Sequence, residues 1–305
     1  MIIIVAPGQG SQTPGFLAPW LELPGAKELL GTLSDAAGVD LVTHGTVSDA
    51  DTIRDTQIAQ PLIVAAGILT LDALAETDHL AKTAGIAGHS VGEFTAAAGA
   101  GVLEATDAVR LVGIRGRAMA EAAALEATGM SAVIGGDESD VLAALDANGL
   151  FPANYNGGGQ LVVAGPLAGL ATLAENAPAG SRVIPLQVAG AFHTSYMGSA
   201  VETLREAALE VNTNDPVKTL WTNLDGSVIT NGQTFRDLLV GQVSSPVRWD
   251  KCMESFAAAG VTGIIELAPA GALVGLAKRA LKGVPTVAIK TPEDLVAARE
   301  LIDSL

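Results

Sequence analysis

Cysteine is all but missing from this chain: Cys252 is the only one among 305 residues. An intramolecular disulfide and a cysteine-rich metal site are therefore excluded. With no histidine beside it in the sequence, Cys252 reads as a packed, unreactive thiol. Aromatic residues are scarce as well, at 4%, so a core drawn from the 49% hydrophobic fraction must be built of Ala, Val, Leu and Ile. Basic residues number 17 against 33 acidic, a formal net charge of -16. That opposes binding to nucleic acid or to an anionic membrane unless the few cations cluster. Long hydrophobic runs are also wanting, although the mean hydropathy is +0.40. The longest candidate, Pro61 to Ala75, carries Thr70 and Asp72 and is too short to cross a bilayer. The apolar start, Met1 to Ala6, is too short for a signal peptide and has no basic n-region. A soluble, cytoplasmic protein is expected, of two domains or one large domain with an insert.

Strand-like apolar runs alternate with Ala/Leu-rich helical stretches, which predicts an α/β protein with a mostly parallel sheet. Ile2 to Ala6 is the expected first strand, and Ala59 to Leu74 a buried helix. In a second helix, Ala105 to Leu125, the residues Val109, Val112, Met119 and Ala123 form a core-facing stripe. The texture then changes. A strand at Ser131–Gly135, a helix at Glu138–Asn148, and strands at Phe151–Tyr155 and Gln160–Ala164 follow. The last two are joined by Asn156-Gly157-Gly158-Gly159, a hairpin signal. A helix at Leu167–Asn176 and a strand at Arg182–Val188 complete a β-α-β-β-α-β order, the split βαβ unit of ferredoxin-like domains. Residues 128–189 thus read as a small inserted unit, with 1–127 and 190–305 as the large one. A helix at Tyr196–Leu209 and strands at Val217–Asn223 and Gly263–Leu267 belong to the large unit.

Gly88-His89-Ser90-Val91-Gly92 is a G-x-S-x-G run placed where a short apolar strand meets an Ala-rich helix. A serine on such a turn exposes its hydroxyl, and the next backbone N–H points to the same spot. The same pattern also suits an inert tight turn. A second glycine-rich loop, Pro7 to Gly15, follows the first strand. Its spacing fails the dinucleotide fingerprint, because Thr13 stands where the third glycine belongs and Pro14 where the helix should run. It better serves close backbone approach, with the Gln9 N–H and that of Val91 aimed at a developing oxyanion. Of the four histidines, His44 and His79 lie in polar, loop-like surroundings, and His89 is inside the elbow. His193 sits where the small unit returns to the large one, a common place for a cleft. It is the best candidate base, with a hydrogen-bonded structural histidine as the alternative. Arg115 lies on a helix rich in small residues; it reads either as a bidentate partner for a carboxylate or as half of a surface ion pair.

Together these segments resemble one family. Gly8-Gln9-Gly10-Ser11-Gln12, Gly88 to Glu93, Arg115-Gly116, Asn154-Tyr155-Asn156, Gly190-Ala191-Phe192-His193, and Gln242 followed by Pro246-Val247-Arg248-Trp249 occur in the order found in malonyl-CoA:acyl carrier protein transacylases. The likeness spans nearly the whole chain. It implies a large α/β-hydrolase-like domain with a ferredoxin-like insert, and a malonyl transfer from malonyl-CoA to the phosphopantetheine thiol of acyl carrier protein. By the same resemblance Ser90 is the acylated nucleophile, His193 its base, and Gln9 and Val91 the oxyanion donors. Arg115 holds the malonyl carboxylate, and Gln242 orients the histidine in place of an acid. His89, Met119, Asn154 and Phe192 support the site, Phe192 being the form associated with malonyl preference. No metal and no bound cofactor are implied, and a monomer is the default expectation. One departure stands out: the family's Gly-Pro-Gly turn reads Ala268-Pro269-Ala270-Gly271 here. A hydrolase using water as acceptor, and a silent carrier-binding module, are the competing functions. Because carrier proteins of these pathways are acidic, docking falls to the few cations, with Arg182, Lys278, Arg279 and Lys282 as candidates.

Overall fold

The computed structural model describes residues 1–304. In chain order its strands are β1 (Ile2–Ala6), β2 (Gly85–Gly88), β3 (Thr128–Gly135), β4 (Phe151–Gly157), β5 (Gln160–Pro166), β6 (Ser181–Pro185), β7 (Thr219–Trp221), β8 (Val228–Ile229), β9 (Gly263–Glu266) and β10 (Thr286–Ala288). Six of them form one sheet in the order β10-β9-β1-β2-β7-β8. All neighbours pair in parallel except β7 and β8. A central parallel strand is covered on both faces, so it reads as an unbroken apolar run. β1 does so: Ile2 and Ile4 enter one core cluster, Ile3 and Val5 another on the opposite face.

The helix expected at 59–74 runs from Thr56 to Ala75. At 20 residues, with mean hydropathy 1.8 in its most apolar window, it does have the length and composition to cross a membrane, against the expectation from the sequence. Its apolar character on all sides has another cause here, since 83% of that window is buried inside the fold. It packs against the Ala105–Ala123 helix, which carries Arg115 and Met119.

The second sheet is antiparallel, ordered β4-β5-β3-β6. Helices Glu138–Ala147 and Leu167–Glu175 connect its strands in a β-α-β-β-α-β sequence. The period of two along β5 divides its faces. Leu161 and Val163 pack under the two helices with Val133, Val141, Leu145 and Leu173. Val162 and Ala164, with Met130 of β3, join the main core. β4 is also tied to the other sheet's side: Tyr155 N–H donates to the Val247 carbonyl at 2.8 Å, and Val247 N–H to that of Ala153 at 2.8 Å. The hairpin turn is shorter than expected, because Asn156 and Gly157 belong to β4.

Other expectations shift at their edges. The strand read at 182–188 ends at Pro185, and that at 217–223 covers three residues. The helix read from Tyr196 begins at Gly198, after a 3-10 turn at Ser195–Met197. His44 lies in the Leu41–Thr46 helix and His79 opens the His79–Lys82 helix, so neither sits in a loop. Helices at Gly232–Gly241, Trp249–Ala258, Ala272–Ala280 and Leu295–Asp303 went unread in the sequence. The departing turn survives: Ala270 takes φ +29°, Gly271 φ +126°, and the Ala272–Ala280 helix follows. Buried Glu266 receives the Leu273 and Val274 amides there, at 3.0 and 2.8 Å.

Candidate active site

The register of the parallel sheet builds the site. Ala6 of β1 lies opposite Gly88 of β2, so the loops that follow leave side by side. The His89 amide donates to the Ala6 carbonyl at 2.9 Å. Ser90 then takes φ +53°, a left-handed conformation costly for a residue with a Cβ. The flanking glycines are steric requirements: a Cβ on Gly88 would overlap the Gly92 carbonyl, and one on Gly92 the Ala6 carbonyl oxygen. The loops after β1, β2 and β9 all border one cavity of about 420 Å³. It lies outside the carboxyl ends of the strands, where sheets of this kind place ligands.

Ser90 Oγ and His193 Nε2 are 2.7 Å apart. His193 Nδ1 lies 2.9 Å from the backbone carbonyl of Gln242. A carbonyl can only accept, so Nδ1 carries the proton and Nε2 presents its lone pair to the serine hydroxyl. Burial, then the nearby charge of Arg115, pulls the imidazole down to about 3, so it is neutral at pH 7. His193 itself has φ +61°.

Arg115 is one of the largest fully buried side chains. Nη1 donates to Gln60 Oε1 at 2.7 Å and Nη2 to Gln242 Oε1 at 2.9 Å; Nη2 also approaches Ser90 Oγ at 3.4 Å. Its Nε has no partner among the described residues. Burial pulls the guanidinium down to about 10, with Glu93 opposing, which leaves it charged at neutral pH. The surface ion pair considered for it is thereby ruled out. The backbone amides of Gln9 and Val91, both on the cavity wall, donate to no acceptor among the described residues. The Gln9 side chain holds its loop in place through the Arg54 carbonyl at 3.2 Å.

Residues 3–295 match the acyl transferase domain family. The chain is 51% identical over 296 residues to the malonyl CoA-acyl carrier protein transacylase of Mycobacterium tuberculosis H37Rv, covering 97% of this chain and 98% of that one. Its counterpart from Escherichia coli K12 is 35% identical over 304 residues, again 97% and 98% covered. The chain belongs to the malonyl CoA-acyl carrier protein transacylase family. The crystal structure of the transacylase from Mycobacterium tuberculosis superposes with a TM-score of 0.96 at 50% identity, over 98% of this chain and 99% of that one. A malonyl-transacylase solved in complex with a type II PKS acyl-carrier protein superposes with a TM-score of 0.93 at 29% identity, over 98% and 99%.

Within this transacylase fold the cavity gathers most residues singled out in the sequence. Gln9, Ser90, Val91, Arg115 and His193 face it, with Met119 and Phe192 on its apolar wall and Asn154 across from them. The Asn154 Oδ1 is buried without a partner among the described residues. His89 is buried, its Nε2 2.9 Å from Asn156 Oδ1 and its ring edge-on to Trp249. Gln242 lies beneath the cavity. It meets His193 through its backbone carbonyl, while its side chain goes to Arg115, to the Ser90 carbonyl at 3.0 Å and to Glu93. Of the four proposed docking cations only Arg279 borders the cavity; Lys278, Lys282 and Arg182 are exposed and away from its wall. Four side chains of the site were not anticipated: Gln60, Glu93, Asn156 and Asn223. Glu93 had a signal, being the one acid in a helix otherwise of Gly, Phe, Thr and Ala.

Proposed function

We propose that this protein moves a malonyl group from malonyl-CoA to the phosphopantetheine thiol of an acyl carrier protein through a malonyl-Ser90 intermediate. The observation that carries the reading is the 2.7 Å contact between a left-handed Ser90 and a neutral His193, beside a buried, charged arginine. The names of the family relatives agree with it.

In the first half-reaction His193 Nε2 takes the Ser90 proton while Oγ attacks the thioester carbon. The oxyanion forms between the Gln9 and Val91 amides, two donors with nothing else to bind. When the carbon–sulfur bond breaks, His193 returns the proton to the departing thiolate and CoA leaves as a thiol. In the second half-reaction the carrier thiol gives its proton to His193. Its sulfur attacks the ester, and Ser90 recovers its hydrogen. Arg115 holds the free carboxylate of the acyl group by charge-assisted hydrogen bonds. That pairing also offsets the positive field that weakens His193, so malonyl improves its own base.

The carrier protein belongs to fatty-acid or polyketide synthesis, and the enzyme works in the cytoplasm. Residues 1–127 with 190–305 form the catalytic unit, classed as α/β-hydrolase-like; 128–189 form a ferredoxin-like insert that supplies Asn154 and Asn156. Arg279, at the cavity border, meets the phosphates of CoA or of the carrier arm, with Lys278, Lys282 and Arg182 as outlying charges. No cofactor takes part. Brief exposure to malonyl-CoA, read by intact-protein mass spectrometry, tests the reading: the native chain gains one malonyl mass and Ser90→Ala gains none. A malonyl adduct on the alanine variant would assign the nucleophile elsewhere.

A further inference from the structure

Ser90 is held at both ends by side chains of two residues that each bond to one carboxyl group. Its N–H donates to Asn223 Oδ1 at 2.7 Å, and its carbonyl accepts from Gln242 Nε2 at 3.0 Å. Asn223 also donates through Nδ2 to the Gly88 carbonyl at 2.7 Å, so it spans the elbow from its first glycine to its serine. Both residues lead to Glu93, Asn223 by its backbone and Gln242 by its side chain. Glu93 Oε1 accepts the Asn223 backbone N–H at 2.7 Å, and Oε2 accepts from Gln242 Nε2. Glu93 itself is 1% exposed and lies one helical turn beyond the serine it supports.

A left-handed serine persists only where its surroundings over-determine it. The backbone of β2 cannot do this alone, because Ser90 lies past the last ladder pair. We propose that Glu93 is the positioning residue of the elbow: each of its oxygens fixes one of the two arms that grip Ser90. Through Gln242 it reaches further, since that residue's carbonyl aims His193 and its Oε1 receives Arg115. Nucleophile, base and carboxylate clamp are thus referred to one buried group that touches no substrate. This role rests on the acyl-transfer reading above.

Glu93→Gln is the discriminating variant. The amide keeps an acceptor for the Asn223 N–H but turns an NH₂ toward the NH₂ of Gln242. Gln242 cannot answer by flipping, because its Oε1 is engaged by Arg115. A second cavity of about 70 Å³ adjoins Glu93 and Gln242 from behind, so the isosteric change meets no crowding. The variant is compared with the native protein in single-turnover acylation by malonyl-CoA and in covalent reaction with phenylmethylsulfonyl fluoride, which reads the Ser90–His193 pair without the carboxylate clamp. Both rates should fall together, by about tenfold to a hundredfold, as for small displacements of reacting groups. The KM for malonyl-CoA should stay within about threefold, as expected when positioning and not binding is lost. If the folded variant sulfonylates and acylates at native rates, the proposal is overturned. A raised KM with unchanged sulfonylation would also overturn it, limiting Glu93 to the clamp. If Glu93→Gln does not fold, Asn223→Ala removes the side-chain grip on the Ser90 N–H while keeping the backbone N–H that Glu93 accepts; native rates there overturn the role given to that arm and with it the two-armed proposal. A native protein that takes the sulfonyl group on Ser90 but no malonyl would refute the acyl-transfer reading instead.

Discussion

Replacing Arg115 by alanine should separate malonyl from acetyl transfer, and the structure sets the size and sign of the effect. The guanidinium is anchored by two amide oxygens, Gln60 Oε1 and Gln242 Oε1, and its Nη2 reaches to 3.4 Å from Ser90 Oγ. An ester carboxylate two carbons from the acyl carbon falls within its reach. A hydrogen bond to a charged group contributes about 1.5–3 kcal/mol, and two such bonds to one carboxylate do not fully add. A loss of about 2–4 kcal/mol corresponds to a fall of roughly thirtyfold to a thousandfold in malonyl acylation. Acetyl-CoA loses no bond. It gains instead, because the Arg115 charge is the second-largest cause, after burial, of the depressed His193 basicity. Acetyl acylation should hold or rise as malonyl acylation collapses. Single-turnover acylation with each CoA ester, followed by mass spectrometry, measures the ratio directly. Alanine also leaves the Gln60 and Gln242 oxygens unpaired, so thermal melting must accompany the assay. Arg115→Lys, which keeps the charge but not the planar fork, should fall between. An equal loss of both acyl groups in a folded variant would refute the reasoning and make Arg115 a structural cation.

Two further outcomes follow from charge. The His193 pKa is pulled below its ordinary 6.5 to about 3, so the acylation rate should stay level between about pH 7.5 and 5.5, where an unperturbed histidine would titrate. Stability moves oppositely at the two ends. The unfolded chain protonates its histidine below 6.5, so the His193 contribution is full above that pH and lost as pH falls. Glu93, pushed up from 4.5 to about 8 mainly by burial, contributes fully below 4.5 and less as pH rises through 8. Melting temperatures across pH 4 to 9 check both signs. Reversing Lys278 and Arg279 to glutamate should raise the apparent KM for the acidic carrier protein by about threefold to tenfold at low salt, with kcat nearly unchanged. Unchanged carrier kinetics at low salt would move the docking site off this edge.

What was legible in the sequence follows from what each position demands of its residue type. The elbow was visible because Gly88 and Gly92 admit no Cβ, and β1 because burial on both faces forces an unbroken apolar run. His193 stood out because histidines are few. Gln242 was named as its orienting residue only through the family resemblance, and that the bond comes from the backbone carbonyl, which any residue at 242 has, was not legible. Asn156 was taken for a turn residue because it precedes three glycines, yet β4 runs to Gly157 and the Asn156 side chain meets His89. Gln60 and Asn223 look like ordinary polar residues until distant segments meet. The carboxy-terminal helices are short and amphipathic, and their apolar faces recur too few times in nine or ten residues to announce themselves.

The two backbone hydrogen bonds between β4 and Val247 have a mechanical consequence. They stitch the small sheet to the stretch that, five residues earlier, provides the carbonyl behind His193. That seam couples the strand carrying Asn154 and Asn156 to the support of the catalytic histidine, so a displacement of one is felt at the other. Both half-reactions of the proposed transfer use the same Ser90 in the same cavity, so the first product must depart before the second substrate reacts, and each acyl donor should compete with the free carrier arm for the unacylated protein. Weakening the seam at Val247, which does not line the cavity, should therefore be felt at the histidine before it is felt by either substrate.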